Sequence, residues 1–243
     1  MKLKDKVAVV TGGGTGIGRA AAKALAEEGA RVFINGRREE KLRTVAEGIS
    51  APHAVRYIAA DVGDREEARR LVEQVLEECG RLDILVNNHG INVPKRTMAK
   101  LSPDDWDDIM RVNVTGAFNT MHYALPGMRD RHDGVIICTS SIAGCRPSAL
   151  AGVAYCASKH AMTALTRTIS EEEKDSGIRL TVISPGEVET ELLDVRPEPV
   201  SKEHRARILQ PEDIASAIVF VATLPPRAHI PDLVMKPTTQ GFA

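Results

Sequence analysis

Apolar residues along this chain fall into two patterns that alternate from one end to the other. Short runs dense in valine and isoleucine, namely KVAVVT, RVFIN, AVRYIA, DILVNN, GVIICTS, IRLTVIS and PDLVMK, read as strands. Several are apolar without a break, which suits strands covered on both faces, because neither alternate set of side chains then meets water. Between the strands the apolar spacing lengthens to the helical period. In DREEARRLVEQVLEEC the residues Ala68, Leu71, Val72, Val75, Leu76 and Cys79 share one face and the charges take the other. That segment predicts a surface helix packed on a sheet. Ser102, Pro103 and Asp105 supply an N-cap, a first-turn proline and an acidic residue three after the cap, so a long helix is expected to carry Trp106 through Leu125. Pro211, followed by Glu212 and Asp213, predicts another helix with Ile214, Ile218 and Val221 inward. This alternation implies an α/β fold, a parallel sheet with helices on both faces. No linker-like composition, internal repeat or low-complexity stretch interrupts the 243 residues, and a single domain over 1–243 is expected.

Charge acts mainly by exclusion. The 32 basic and 33 acidic side chains nearly cancel, and no stretch concentrates one sign, so neither nucleic acid nor a membrane surface is an expected partner. The N-terminal MKLKDKVAVVTGGG is too short in its apolar part to span a bilayer and is unlike a signal peptide. A cytoplasmic protein is expected. Cys79, Cys138, Cys145 and Cys156 form no CxxC pair and no Cys/His cluster of ligand spacing, which predicts reduced thiols and no metal.

TGGGTGIGRA, Thr11 to Ala20, joins the first strand to the first helix. Gly12, Gly16 and Gly18, with Thr15 and Ile17 among them, let the backbone turn sharply and approach a pyrophosphate, while the helix N-terminus directs free N–H groups at the anion. A dinucleotide suits a glycine turn in that setting. The second strand runs into Gly36, Arg37 and Arg38, and no carboxylate appears until Glu39. A carboxylate there would hydrogen-bond an adenosine 2′-hydroxyl, whereas a 2′-phosphate needs a cation. Arg37 offers it a charge-assisted fork, so NADP(H) is favoured over NAD(H). The competing reading makes both arginines solvated residues at the start of a helix, and Thr15 stands where a second cation would have helped.

In AYCASKHA, Tyr155 and Lys159 lie four residues apart and share a helix face. With TGGGTGIG, with Asn87, Asn88 and Gly90 in NNHG, and with Asn113 and Ser141, this ordered set resembles the short-chain dehydrogenase/reductase family over essentially the whole length. Thr15 and the short chain fit its smaller subfamily. The resemblance implies a Rossmann-type, doubly wound, three-layer fold with a seven-stranded parallel sheet ordered 3-2-1-4-5-6-7. It implies Tyr155 as proton donor and acceptor, Lys159 as holder of the nicotinamide ribose, and Ser141 as hydrogen-bond partner of the reacting oxygen. Asn113 matches the asparagine that holds a water near the lysine. Asp61 with Val62 resembles the adenine contact, Asn87 a ribose contact, and Pro185, Gly186, Val188 and Thr190 the nicotinamide-side loop. A homo-oligomer, tetramer or dimer, is also implied, built on the helices after Ser102 and around Tyr155.

The residue types suit that chemistry. Hydride transfer belongs to the cofactor, and the protein must orient one carbon and manage one proton. A phenol of reference pKa near 10 needs about 4 kcal/mol of preferential stabilisation to titrate about three units lower; a close, partly desolvated ammonium supplies much of it, and the positive nicotinamide ring acts the same way. In reduction the neutral phenol donates to the developing alkoxide while Ser141 hydrogen-bonds the same oxygen. Ser140 stands beside Ser141, and strand alternation points only one of them into the site. The SIAG pattern selects Ser141.

Three features depart from the family. His89 replaces a small residue in NNHG and is expected to have no catalytic duty, Ser184 replaces an asparagine, and the C-terminus lacks a glycine-rich end. Segments 146–153 and 191–210 are expected to border a partly apolar pocket, the second as a charged, mobile substrate lid. In it, Arg196, Lys202 and Arg205 read either as solvated residues or as holders of an anionic group. The expected substrate is a small carbonyl compound or alcohol. An NADPH-dependent carbonyl reductase is favoured, and an NAD-dependent alcohol dehydrogenase or a non-catalytic nucleotide sensor are the alternatives.

Overall fold

The structure, a computed structural model, describes residues 1–241. Its elements run β1 (Val7–Thr11), α1 (Gly16–Glu27), β2 (Arg31–Gly36), α2 (Glu39–Gly48), β3 (Arg56–Ala59), α3 (Arg65–Cys79) and β4 (Ile84–Asn87). They continue with α4 (Pro103–Met110), α5 (Gly116–Arg131), β5 (Gly134–Thr139), α6 (Val153–Glu172), β6 (Ile178–Pro185), α7 (Lys202–Arg205), α8 (Pro211–Ala222) and β7 (Asp232–Met235). The seven strands form one parallel sheet ordered β3-β2-β1-β4-β5-β6-β7, as expected for the Rossmann-type arrangement.

The unbroken apolar runs follow from the pleat. Ala8, Val10, Ile34, Val86 and Ile137 point into a core shared with α1 and α8, while Val9, Phe33, Leu85 and Ile136 point into a second core with α3, α5 and α6. Neither face of the central strands reaches solvent. Helix starts follow the local chemistry too. Asp64 caps α3 by accepting from the Glu67 N–H at 2.9 Å, and Ser102 caps α4 by accepting from the Asp105 N–H at 3.0 Å.

Two sequence expectations change in detail. The long helix after Ser102 is interrupted: α4 and α5 are joined by a turn of wider π-helix at Arg111–Thr115, which contains Asn113, and α5 runs past Leu125 to Arg131. In the segment after β6 some of the charges are paired: Arg196 and His204 both reach Glu187, and Arg205 reaches Glu189 and Asp194, while Lys202 stays exposed with no salt bridge among the described residues. Leu209 also bonds back to the strand-like stretch at Glu187 and Glu189, with N···O distances of 3.1 and 2.8 Å. No helix among the described residues is long and apolar enough to cross a membrane.

Candidate active site

A cleft of about 480 Å³ runs along the C-terminal ends of the strands, where loops leave the sheet for its two faces. At one end lies the glycine turn between β1 and α1. Gly12 has φ of +63°, a left-handed conformation that favours glycine, and a Cβ on Gly18 would stand 2.1 Å from the Gly12 carbonyl oxygen. The backbone can therefore turn under the N-terminus of α1 and leave an anion-sized cradle. That shape fits a nucleotide pyrophosphate. Thr15, Gly16 and Ile17 line the cleft, and Gly18 serves the turn from beneath rather than lining it.

Beyond the cradle, Arg37, Arg38, Lys41, Asp61 and Val62 line the same cleft. Arg37 is exposed and makes no salt bridge among the described residues, whereas Arg38 and Lys41 reach Glu191 at 3.4 and 3.1 Å. Burial works to raise the Asp61 carboxyl, but Arg111 at 2.9 Å and the Gly63 N–H outweigh it and hold it below its usual range.

At the other end, β5 delivers Ser141 and α6 delivers Tyr155 and Lys159. The Ser140 hydroxyl is turned inward, donating to the Lys159 carbonyl at 3.2 Å and pairing with Thr163 at 2.8 Å. Ser141 and Ser140 both line the cleft, with the Ser140 hydroxyl engaged by protein groups. Lys159 is buried, and its Nζ lies 5.6 Å from the Tyr155 ring centroid and donates to the Thr139 carbonyl at 2.8 Å. Burial pulls the ammonium down to about 8, and no carboxylate pairs with it among the described residues.

The phenol departs from the expected direction. Although part of the Tyr155 ring is exposed along the cleft, burial pushes its hydroxyl up to about 12, with Ser141 and the more distant Arg96 acting the other way. Desolvation of the charged form outweighs the neighbouring cation.

Asn113 is fully buried in the π-turn. Its Oδ1 accepts from the Ile91 N–H at 2.8 Å, and its Nδ2 donates to the Ile91 carbonyl at 3.1 Å and to Ser158 at 3.0 Å. The side chain ties the cleft wall after β4 to α6. Asn87 needs a correction. Its side chain faces α5, accepting from Thr120 at 2.7 Å and donating to the Ala117 carbonyl at 3.4 Å, and does not line the cleft, so the expected ribose contact through it is not supported. Strand alternation exposes Asn88 instead, along with His89 and Gly90. Pro185, Gly186, Val188 and Thr190 all line the cleft.

Two contributors escaped the sequence reading. Gln240 closes the cleft from the C-terminal segment by accepting from the Glu187 N–H at 3.0 Å. Arg96, in the loop after β4, is buried beside the reaction end. The available signal was positional: loops leaving the C-terminal ends of strands border the crevice of such a sheet.

A doubly wound sheet whose crevice joins a glycine-turn cradle to a tyrosine and a buried lysine is the architecture of a nicotinamide-dependent oxidoreductase. The model of the family described as short chain dehydrogenase matches residues 6–200, and the chain belongs to this short-chain dehydrogenase/reductase family. An uncharacterized oxidoreductase of Staphylococcus aureus (strain USA300) is 34% identical over 97% of this chain and 98% of its own. A metagenomic short-chain oxidoreductase solved in complex with NADP superposes with a TM-score of 0.85 at 32% identity, covering 99% of this chain and 100% of that one. A 3-ketoacyl-(acyl-carrier-protein) reductase from Brucella melitensis, complexed with NADH, gives 0.88 at 29% identity over 96% and 98% of the two chains. The chain is an oxidoreductase acting between CH–OH and C=O groups.

Proposed function

We propose that this protein is an NADPH-dependent carbonyl reductase. The observation that carries the reading is the placement of Tyr155 and Ser141 along one cleft, with the buried Lys159 Nζ 5.6 Å from the Tyr155 ring centroid. The bound dinucleotide supplies a hydride to the carbonyl carbon. Gly12, Thr15, Gly16 and Ile17 hold its pyrophosphate, with Gly18 beneath the turn. Arg37 takes the 2′-phosphate, Asp61 and Val62 border the adenine, and Pro185, Gly186, Val188 and Thr190 border the nicotinamide. Ser141 hydrogen-bonds the carbonyl oxygen while Tyr155 Oη gives it a proton. The phenolate that remains is stabilised by Lys159, which would also hold the nicotinamide ribose of a bound cofactor, until solvent returns the proton. Asn113 is a positioning residue, holding the wall at Ile91 against α6.

A second reading, an NAD-dependent alcohol dehydrogenase, is favoured by the Glu191 carboxylate on Arg38 and Lys41, which leaves Arg37 alone to meet a phosphate. Side-by-side titration of NADPH and NADH separates the two. NADPH is expected to bind more tightly, and Arg37→Asp to weaken it by about tenfold or more while sparing NADH. Equal or tighter NADH binding to the unaltered protein rejects the NADPH assignment.

The segment 190–210 acts as the substrate lid. Four cysteines free of disulfides suit the reducing cytoplasm. Exposed Trp106, Phe118 and Val153 on α4, α5 and α6, and Phe220 and Val234 on α8 and β7, suit a homo-oligomer, dimer or tetramer.

A further inference from the structure

Arg96 is 6% exposed, yet no carboxylate lies within salt-bridge distance of it among the described residues. It is held in place on every side. Its Nε donates to the Val93 carbonyl at 2.8 Å, Nη1 to the Leu150 carbonyl at 3.3 Å, and Nη2 to the Val195 carbonyl. Its own carbonyl accepts from the Val153 N–H at 3.1 Å, and a Cβ on Gly152 would stand 2.5 Å from the Arg96 Cβ. The residue is thereby fixed against the start of α6, two residues before Tyr155.

A guanidinium carries five N–H groups, so one on each terminal nitrogen is left over, together with an unpaired charge. Two N–H groups and one positive charge match the two oxygens of a carboxylate. A second cation stands nearby. Arg196, whose side chain is 17% exposed, lines the same cleft, and its only salt-bridge partner among the described residues is Glu187 at 3.4 Å, a carboxylate shared with His204. The Arg196 charge is felt at the Arg96 guanidinium, and Arg96 in turn is felt by the Tyr155 phenol. Near Tyr155 the charged residues lining the cleft, among the described residues, include Arg96, Arg196 and Lys159, with the Glu187 carboxylate beside Arg196. Leu150, Leu192 and Val195 line the space between, suited to a short carbon chain.

We propose that the substrate carries a carboxylate that pairs with Arg96, assisted by Arg196, so that the enzyme reduces oxo acids to hydroxy acids in preference to neutral ketones. This rests on the carbonyl-reductase reading above and adds its substrate class. The carboxylate is unchanged in the reaction: hydride reaches the carbonyl carbon, the Tyr155 proton reaches its oxygen, and NADPH becomes NADP+. Fixed on three backbone carbonyls, Arg96 sets the distance from the acid group to the phenol and selects among oxo positions along the chain.

The test uses the α-, β- and γ-oxo derivatives of pentanoate and their methyl esters. NADPH oxidation is followed with each, and binding of the same compounds to the enzyme saturated with NADP+ is followed by calorimetry. At least one acid is expected to bind about tenfold or more tightly than its ester, the effect of one charge-assisted fork. R96Q should raise KM for that acid by a similar factor and leave KM for the ester nearly unchanged. Arg196→Gln should show a smaller change of the same kind. Esters that bind the unaltered protein as well as the acids overturn the inference, even if R96Q fails to fold. So does an acid preference that survives both substitutions. Acid-selective binding without NADPH oxidation supports the anion site and rejects carbonyl reduction, whereas oxidation driven equally by esters rejects the anion site and supports the reductase.

Discussion

At the nucleotide end of the cleft Arg37, Arg38 and Lys41 stand in solvent, whereas at the reaction end Lys159 and Arg96 are only 3% and 6% exposed. The same kind of charge behaves differently in the two places. Exposed ion pairs contribute about 0–1 kcal/mol and are screened by salt, so the pairing of Arg38 and Lys41 with Glu191 exchanges readily for a ligand phosphate. A buried cation without a counter-charge loses several kcal/mol of hydration unless something replaces the water. At the reaction end carbonyl oxygens do so for both residues, and the protonation states of Tyr155 and Lys159 are set by burial rather than by partners. One end is adjustable and the other is preset.

The sharpest way to break this comparison is Tyr155→Phe. It removes one hydroxyl from the preset end and leaves the exposed end intact. Turnover is expected to fall by about 10²–10⁴, the range for loss of a positioned acid, with NADPH affinity unchanged. A comparable loss of NADPH binding would show that the two ends are not independent, and steady-state kinetics with direct cofactor titration decides between the outcomes.

His89 extends the comparison to stability. Its Nδ1 lies 2.7 Å from the Thr11 hydroxyl, and burial, helped by the Lys159 charge, pulls the imidazole from 6.5 to about 3. Below pH 6.5 the unfolded chain takes up a proton that the folded chain refuses. The contribution is thus fully present above pH 6.5 and is lost as pH falls toward about 3, at up to about 1.4 kcal/mol per unit. Thermal melting across that window should show a shallower acid slope in His89→Ala than in the unaltered protein, whatever the absolute stability of the variant. Equal slopes would mean that the imidazole is hydrated enough to titrate normally.

Where local rules decide, the sequence was a sufficient guide. Both faces of the central strands are buried, so Val7 to Val10 could only be apolar throughout, and the glycine turn follows from the crowding of Gly18 on the Gly12 carbonyl. Strand alternation separated Ser140 from Ser141, and the SIAG pattern chose between them. The same rule, carried one strand over, would have turned Asn87 away from the cleft and Asn88 toward it. Other features depend on parts of the chain distant in sequence. Asn113 sits in a π-turn because Ile91 and Ser158 bind its side chain, and the helical spacing around it carries no sign of either partner. Arg96 is buried by Val93, Leu150 and Val195, which come from three separate loops, and as a lone arginine among polar residues it reads as surface. Burial raises the Tyr155 phenol, and sequence alone does not show how deeply that hydroxyl is buried.

The smallest effect is expected at Glu191, and it sharpens the comparison at its adjustable end. The carboxylate bridges Arg38 at 3.4 Å and Lys41 at 3.1 Å, and all three side chains are exposed. A 2′-phosphate arriving beside Arg37 meets two cations already neutralised and one repelling anion. Glu191→Gln removes the anion and frees both cations, so NADPH affinity should rise by about two- to fivefold at low ionic strength, with NADH affinity unchanged. The gain should shrink as salt is added, since the Debye length falls from about 30 Å at 0.01 M to about 10 Å at 0.1 M. If the gain is instead insensitive to salt, Glu191 acts through the position of Thr190 and the lid rather than through charge, and the nucleotide end shares the preset character of its opposite. Should NADPH affinity not change at all, Arg37 alone carries the phosphate and the Arg38–Lys41–Glu191 cluster belongs to the closure of the lid.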